Sequence, residues 1–355
     1  MKIVIRFFPY VLAVYHLLFS VIAWKYITVH NGDAVRYWFV GQDLSTVSWG
    51  SFFRPGTDVI KIFTFPLVKY FHLPFYLGFL IFSLFSGYGF YRLWRLLLKI
   101  AGNNSCAYLA AFILLLLPNA HFWTSFIGKE APLFTAFVLV TDQWYKRRLG
   151  SAQLRISFLI IAFIRPHVGV VLALGLLMSI WSSKIVTLKY KSIISGVAFF
   201  VAALLYQLLY MITGTRVNML KRIQYLYELH ITKLRETHAH VPLDEYTVPY
   251  KIFTFYFRPL PFEKTGWLYG IWSAENAVCL FIFGLSLCIL IFNYKKLHLG
   301  SSSVLSVVFI LGYALMYVFA YANWGLIART KILALPMYAA LVIEMVKTMA
   351  TKTKT

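Results

Sequence analysis

An all-α, polytopic integral membrane protein is the fold class that this sequence predicts, and three observations predict it. Hydrophobic residues make up 60% of the 355 and aromatic residues 19%, more apolar surface than a soluble fold of this size hides. Apolar tracts such as 106–123 and 277–292 approach the roughly 20 residues that a helix needs to cross a bilayer, where the backbone must hydrogen-bond internally. The formal charge of +22 is spread over short connections between such tracts. No stretch is large enough for a soluble binding module, so this charge points to a membrane surface and not to nucleic acid.

About ten transmembrane helices follow from the apolar pattern, near residues 7–27, 73–94, 105–126, 131–145, 153–164, 168–183, 192–213, 274–293, 302–321 and 333–347. The whole chain, 1–355, then forms a single multi-spanning membrane domain. The first tract follows Lys2 and Arg6, is too long for a signal-peptide core and ends without a cleavage site, so it stays as a span. Several tracts are short, notably the pair either side of Arg165-Pro166, and Pro118 interrupts another; broken or partly re-entrant helices are expected there. Cys106, Cys279 and Cys288 fall within apolar tracts without metal-like spacing and read as small core residues.

Orientation follows from the basic loops. Arg92, Arg95 and Lys99, then Lys146, Arg147 and Arg148, then Lys184, Lys189 and Lys191, then Lys295 and Lys296 fall in alternate connections, which places both termini in the cytoplasm. Residues 28–72 become a first extracytoplasmic loop and 214–268 a large second one. In the latter, Leu220, Ile223, Tyr227, Ile231 and Leu234 recur near helical spacing beside charged positions, the pattern of an amphipathic helix on the outer interface. His238, His240, Asp244 and Glu245 form a loose polar cluster read as solvated loop.

Four short polar segments fall on that outer face. Asn31-Gly32-Asp33 supplies a carboxylate that suits a general base for an acceptor hydroxyl. A divalent metal there has little support, because Asp43 and Asp58 are distant, and no cofactor is required by the sequence. Gly128-Lys129-Glu130, followed by Pro132, puts a cation beside a helix break where it can neutralise phosphate. Arg165 sits between two short apolar runs, where a guanidinium faces a protein interior or a wet cavity and its planar fork fits phosphate; His167 beside it is placed to carry a proton. Asn323, Arg329 and Lys331 precede the last span, with an amide and two further cations for a diphosphate. No phosphate-binding loop, dinucleotide fingerprint or nucleophile elbow is present.

The run Phe122-Trp123-Thr124-Ser125, then Gly128-Lys129-Glu130, a basic turn, a short span and Arg165-Pro166-His167 resembles the core of multi-spanning proteins of bacterial surface-polysaccharide assembly. These are the polymerases of O-antigen and exopolysaccharide type and the related membrane glycosyltransferases of the GT-C class. The resemblance covers roughly residues 30–170 and implies a GT-C-like bundle in the bacterial cytoplasmic (inner) membrane. It also implies a polyprenyl-diphosphate-linked glycan donor, a glycan acceptor, and membrane lipids and other polysaccharide-assembly proteins as partners. Lys129, Arg165 and Arg329 would hold the leaving diphosphate. Asp33 matches the first-loop acid of many GT-C enzymes in position, but an adjacent acid pair and a large C-terminal extracytoplasmic domain are lacking. A flippase for lipid-linked glycans and a membrane subunit without chemistry are the competing readings.

Overall fold

The computed structural model describes residues 2–39, 46–184, 186–213, 225, 228, 232–293 and 300–350. Among them the chain is helical, without strands, in this order: α1 Lys2–His30, α2 Asp33–Phe39, α3 Ile60–Lys69, α4 Phe75–Ala101, α5 Ser105–Leu115, α6 Pro118–Thr124, α7 Glu130–Tyr145, α8 Ala152–Ile164, α9 Pro166–Ser182, α10 Leu188–Thr213, α11 Val248–Phe257, α12 Trp267–Asn293, α13 Ser301–Tyr317, α14 Trp324–Lys331 and α15 Leu335–Ala350. Three helical stretches, Ile3–His30, Trp267–Phe292 and Trp324–Lys347, are long and apolar enough to cross a membrane, and α5 with α6 makes a fourth if the bent pair is one span. α8, α9 and α13 are shorter apolar helices. Exposed apolar side chains such as Phe7, Val14 and Leu18 on α1 and Phe281, Leu285 and Phe292 on α12 are what a lipid-facing surface requires. Cys106 and Cys288 lie on such exposed faces and not in a core, a correction to the sequence reading.

The chain divides into two compact units: Met1–Val170 with Phe257–Leu297 and Arg329–Thr355, and Val171–Tyr256 with His298–Ala328. In the first, α7 is the central helix. Fourteen of its 16 residues are buried, so its sequence is apolar on every face, as a helix surrounded by others must be. α4 supplies Phe90, Leu93 and Leu97 to the same core, and α15 supplies Met337, Ala340 and Ile343. Asn104 accepts from the Ala107 N–H at 3.0 Å, capping α5, and Ser151 does the same for α8 through Leu154 at 3.2 Å. In the second unit Phe309 and Tyr313 of α13 stack at 5.1 Å, Phe255 of α11 lies parallel to Tyr317, and the Tyr256 hydroxyl donates to Ile310 O at 2.7 Å.

Two breaks fall where prolines put them. α5 and α6 meet at 44° across Leu116 and Leu117, ahead of Pro118. The carbonyls that this break frees are taken by side chains: Tyr15 donates to Leu116 O at 3.1 Å, and a His121 nitrogen lies 2.7 Å from Leu115 O. α8 stops at Ile164, Arg165 takes φ −136° and ψ 80°, and α9 starts at Pro166. A side chain at Gly169 would meet the Ala162 backbone at 2.9 Å, so α9 turns back closely on α8 and only glycine allows it.

The described residues of the 28–72 segment include two helices, α2 and α3. Asn31 takes the left-handed conformation, φ 53°, that ends α1, and its N–H bonds Ile27 O at 3.1 Å; α2 then begins at Asp33, an acid suited to the positive end of a helix. The amphipathic helix expected around Leu220–Leu234 falls mainly outside the described residues. Of the polar cluster after it, Asp244 pairs with Arg235, and His240 forms an isolated bridge with Asn323.

Candidate functional site

Glu130 is the hub of the site. It opens α7 and is 1% exposed, and it is bound by two arginines remote from it in sequence. Arg165 Nη2 donates to Oε1 at 3.1 Å and Arg329 Nη2 donates to Oε2 at 2.9 Å. Arg329 Nε also lies 2.8 Å from Oε1, close enough for strong attraction but without the alignment of a hydrogen bond. Arg329 Nη1 donates to Asp33 Oδ2 at 2.9 Å, across 296 residues of sequence. A single guanidinium thus bridges the start of α2 to the start of α7.

Local structure explains why these groups meet. Arg165 is left at the α8–α9 turn because Pro166 cannot continue the preceding helix, and its side chain, 5% exposed, points to Glu130. Gly128 lies against the cluster: an added side-chain carbon would stand 3.2 Å from Glu130 Oε2, so a larger residue would push on the carboxylate. Tyr37 of α2 is fully buried beside it, and the Arg329 guanidinium carbon lies 5.7 Å from the Trp123 ring centre. The Trp123 Nε1–H and the Ser125 hydroxyl are buried with no hydrogen-bond partner among the described residues, which leaves two polar atoms of this segment for something else to satisfy.

Lys129, in the non-helical segment between α6 and α7, does not pair with Glu130 at contact distance as a self-satisfied Lys-Glu dipeptide would; the carboxylate faces the arginines instead. Burial lowers its ammonium from the ordinary lysine value to about 8, with Arg165 and Arg329 acting in the same direction and Glu130 against it. Three cations therefore surround two carboxylates, and the cluster keeps one formal positive charge.

The other expected site residues divide. His167 sits exposed at the start of α9, with Arg165 and Lys129 within electrostatic reach. Lys331 does not join Arg329. Two residues apart on a helix is about 200° of rotation, so Lys331 turns to the Asn276 amide oxygen, with Glu275 also in reach. That corrects the expected clasp by both side chains. Asn323 belongs to the second unit, where its amide donates to the Thr237 hydroxyl at 3.0 Å and its oxygen caps α14 through Gly325 N at 2.9 Å. Its geometry is that of a helix cap.

Sequence reading missed Glu275 and Asn276. Glu275, 8% exposed, accepts from the Asn119 N–H at 2.8 Å and so anchors the start of α6, while Asn276 donates to Pro259 O at 2.8 Å. An acid inside an apolar span was the available signal. Asp58, also in the 28–72 segment, is separate from Asp33. Burial pushes its carboxyl up, but the Arg54 hydrogen bond and the charges of Lys61, Arg54 and Arg36 outweigh that and hold it below the usual range. Among the described residues no group of three or more His, Cys, Asp or Glu side chains is arranged to hold a metal.

No family model, no curated protein and no solved structure matches this chain.

Proposed function

We propose that the protein is a multi-spanning membrane enzyme, of about ten spans with both termini in the cytoplasm. It would transfer or polymerise glycosyl units from a polyprenyl-diphosphate-linked donor at the outer face of a bacterial cytoplasmic membrane, in surface-polysaccharide assembly. One observation carries the reading: Asp33, Glu130, Arg165 and Arg329, from four segments that the sequence puts on one face, form a continuous charged network with Lys129 as surplus cation.

In this reading Arg165 and Arg329 are held ready by Glu130 and swing part of their donor capacity to the diphosphate, while Lys129 adds the charge that two carboxylates do not cancel. As the bond from the anomeric carbon to the diphosphate oxygen breaks, negative charge gathers on the leaving group, so donors aimed at it stabilise the transition state more than the bound donor. The acceptor hydroxyl attacks that carbon and gives its proton to a base. Asp33 is the group assigned to this step: it is the one carboxylate of the network that is substantially exposed, 44% for the side chain. His167, exposed beside the cations, is a second group within the same region. The Trp123 ring beside Arg329 offers an apolar face for a sugar.

The test is turnover of the purified protein with a lipid-linked donor. Arg165→Ala is expected to abolish product formation, and Arg165→Lys to restore part of it, because lysine keeps the charge and loses the planar fork. Lipid-linked glycan crossing vesicle membranes without any new glycosidic bond would replace the enzyme reading with a flippase. Full turnover in both variants would remove Arg165 from the site.

A further inference from the structure

Two stripes of side chains, one on α1 and one on α4, grade in chemistry in the same direction. The helices lie antiparallel: Phe8 meets Trp94 with ring centroids 4.7 Å apart, His16 meets Phe90 at 4.9 Å, and Trp24 meets Tyr76 at 6.0 Å. On α1, Leu17, Ala13, Tyr10 and Arg6 follow one another at steps of four, three and four residues. Leu84, Tyr88, Tyr91 and Arg95 do the same on α4, so each set shares one helix face. Both stripes begin at aliphatic carbon, pass through phenol and finish at guanidinium. The antiparallel pairing brings their cationic ends together.

Between the stripes lies a cavity of about 520 Å³, with Arg6, Tyr10 and Tyr91 at one end and Leu17 and Leu84 at the other. The Arg95 guanidinium carbon stands 5.9 Å from the Tyr91 ring centre, just beyond the cationic end. Small residues, Ala13 and Gly87, keep the middle open. His16 is buried in the wall, and its two ring nitrogens are within hydrogen-bond distance of His121 on one side and of Ser83 and Ser86 on the other. Tyr10, Leu84, Tyr88 and Tyr91 are exposed, so the cavity is a groove that opens on the surface of the helix pair.

We propose that this groove binds one anionic phospholipid, its phosphate between Arg6 and Arg95 and an acyl chain running toward Leu17 and Leu84. This is independent of the glycosyl-transfer reading. Eleven residues separate Leu17 from Arg6, about 16 Å of helix, which is close to half of a hydrocarbon core about 30 Å thick. The groove therefore has the length of a chain in one leaflet. The apolar stretch Ile3–His30 has 28 residues, about 42 Å, so it outruns that core and its Arg6 end reaches the headgroup layer.

Charge decides which lipid fits. Among the described residues Arg6, Arg95 and Lys99 have no carboxylate at ion-pair distance. Asp142, the acid nearest this end of α4, is already held by Arg92 and Lys146. A phosphodiester can accept from both guanidinium groups. It can also accept from the phenols: the Tyr88 hydroxyl accepts from Arg92 Nη1 at 2.6 Å and keeps its own proton to donate. A zwitterionic lipid brings its own cation, which Arg6, Arg95 and Lys99 repel.

Native mass spectrometry of the full chain in detergent, titrated with phosphatidylglycerol or with phosphatidylcholine of the same acyl chains, tests the site. One phosphatidylglycerol is expected to bind about tenfold more tightly than phosphatidylcholine, because basic residues at a membrane surface each add attraction for anionic lipid. Arg6→Gln combined with Arg95→Gln should remove the preference and leave the weaker, chain-driven binding of either lipid. Ala13→Phe, which fills the groove, should weaken both. Equal affinity of the wild-type chain for the two lipids would overturn the proposal without need of any variant, and so would a preference that survives the double substitution. Displacement of the lipid by glycerol phosphate would make this a site for soluble phosphate instead. A dimer that Ala13→Phe dissociates would give the groove to a second copy of the chain and overturn the lipid assignment as well.

Discussion

The two ends of α7 carry the same device and use it differently. Glu130 and Asp142 are both buried carboxylates held by two cations, about 18 Å apart along the helix axis. At the Asp142 end one cation is local, Lys146 four residues on at 2.7 Å, and the other is Arg92 of α4; Gln143 and Gln153 complete a polar cluster whose lysine is 26% exposed. At the Glu130 end the partners come from 35 and 199 residues away, Arg165 is nearly inaccessible, and a further lysine stands beside them. Asp142 pins two neighbouring helices, and its lysine still reaches solvent. Glu130 gathers distant segments around a positive charge it does not neutralise, an arrangement suited to an anion.

Neutralising each hub should separate the two ends most. Glu130→Gln takes the carboxylate from the buried Arg165 and one of two from Arg329, which keeps Asp33, and is expected to cost about 3–5 kcal/mol of stability. Asp142→Asn should cost about 1–3 kcal/mol, since Lys146 turns to water more readily. Thermal unfolding of the purified variants measures both, and equal losses would erase the distinction.

Lys129→Gln comes next. Stability should stay within about 0.5 kcal/mol of wild type, while affinity for a polyprenyl diphosphate, measured by titration in detergent, should fall about tenfold, or about 1.4 kcal/mol. Unchanged affinity would mean the surplus charge is not part of a binding site. Wild-type affinity should also weaken as the pH rises through about 8, where Lys129 gives up the proton that attracts the anion, and the Gln variant should lack that step. Asp33→Asn has the smallest expected effect on stability, below about 1 kcal/mol, because this acid is partly exposed. Turnover, in contrast, should be lost if Asp33 takes the acceptor proton.

The all-helical fold was legible because apolar composition and proline placement act locally. Pro118 and Pro166 break helices through their own rings, whatever the rest of the chain does. The meeting of Arg165 with Arg329 was anticipated from their common face, since a charge in an apolar run must find a partner. Which partner it finds was not legible: that Glu130 would leave Lys129 for two arginines depends on how α7 packs against remote segments. The misplacement of Lys331 was avoidable, because helical rotation alone separates it from Arg329. Asn323 looked like a ligand group because an amide that caps a helix and an amide that binds a ligand have the same sequence appearance.

The hairpin at Gly169 and Ala162 also fixes a length. α8 has 13 residues and rises about 20 Å, roughly 10 Å less than the hydrocarbon core of a bilayer. From its capped end at Ser151 to the turn, α8 is therefore too short to cross a bilayer by itself, and the close return of α9 keeps the turn from lengthening. Arg165 at that turn needs neither headgroup nor water to satisfy it, because it is nearly inaccessible and Glu130 already holds it. On the proposed reading, a diphosphate would engage Arg165 only by loosening part of its hold on Glu130.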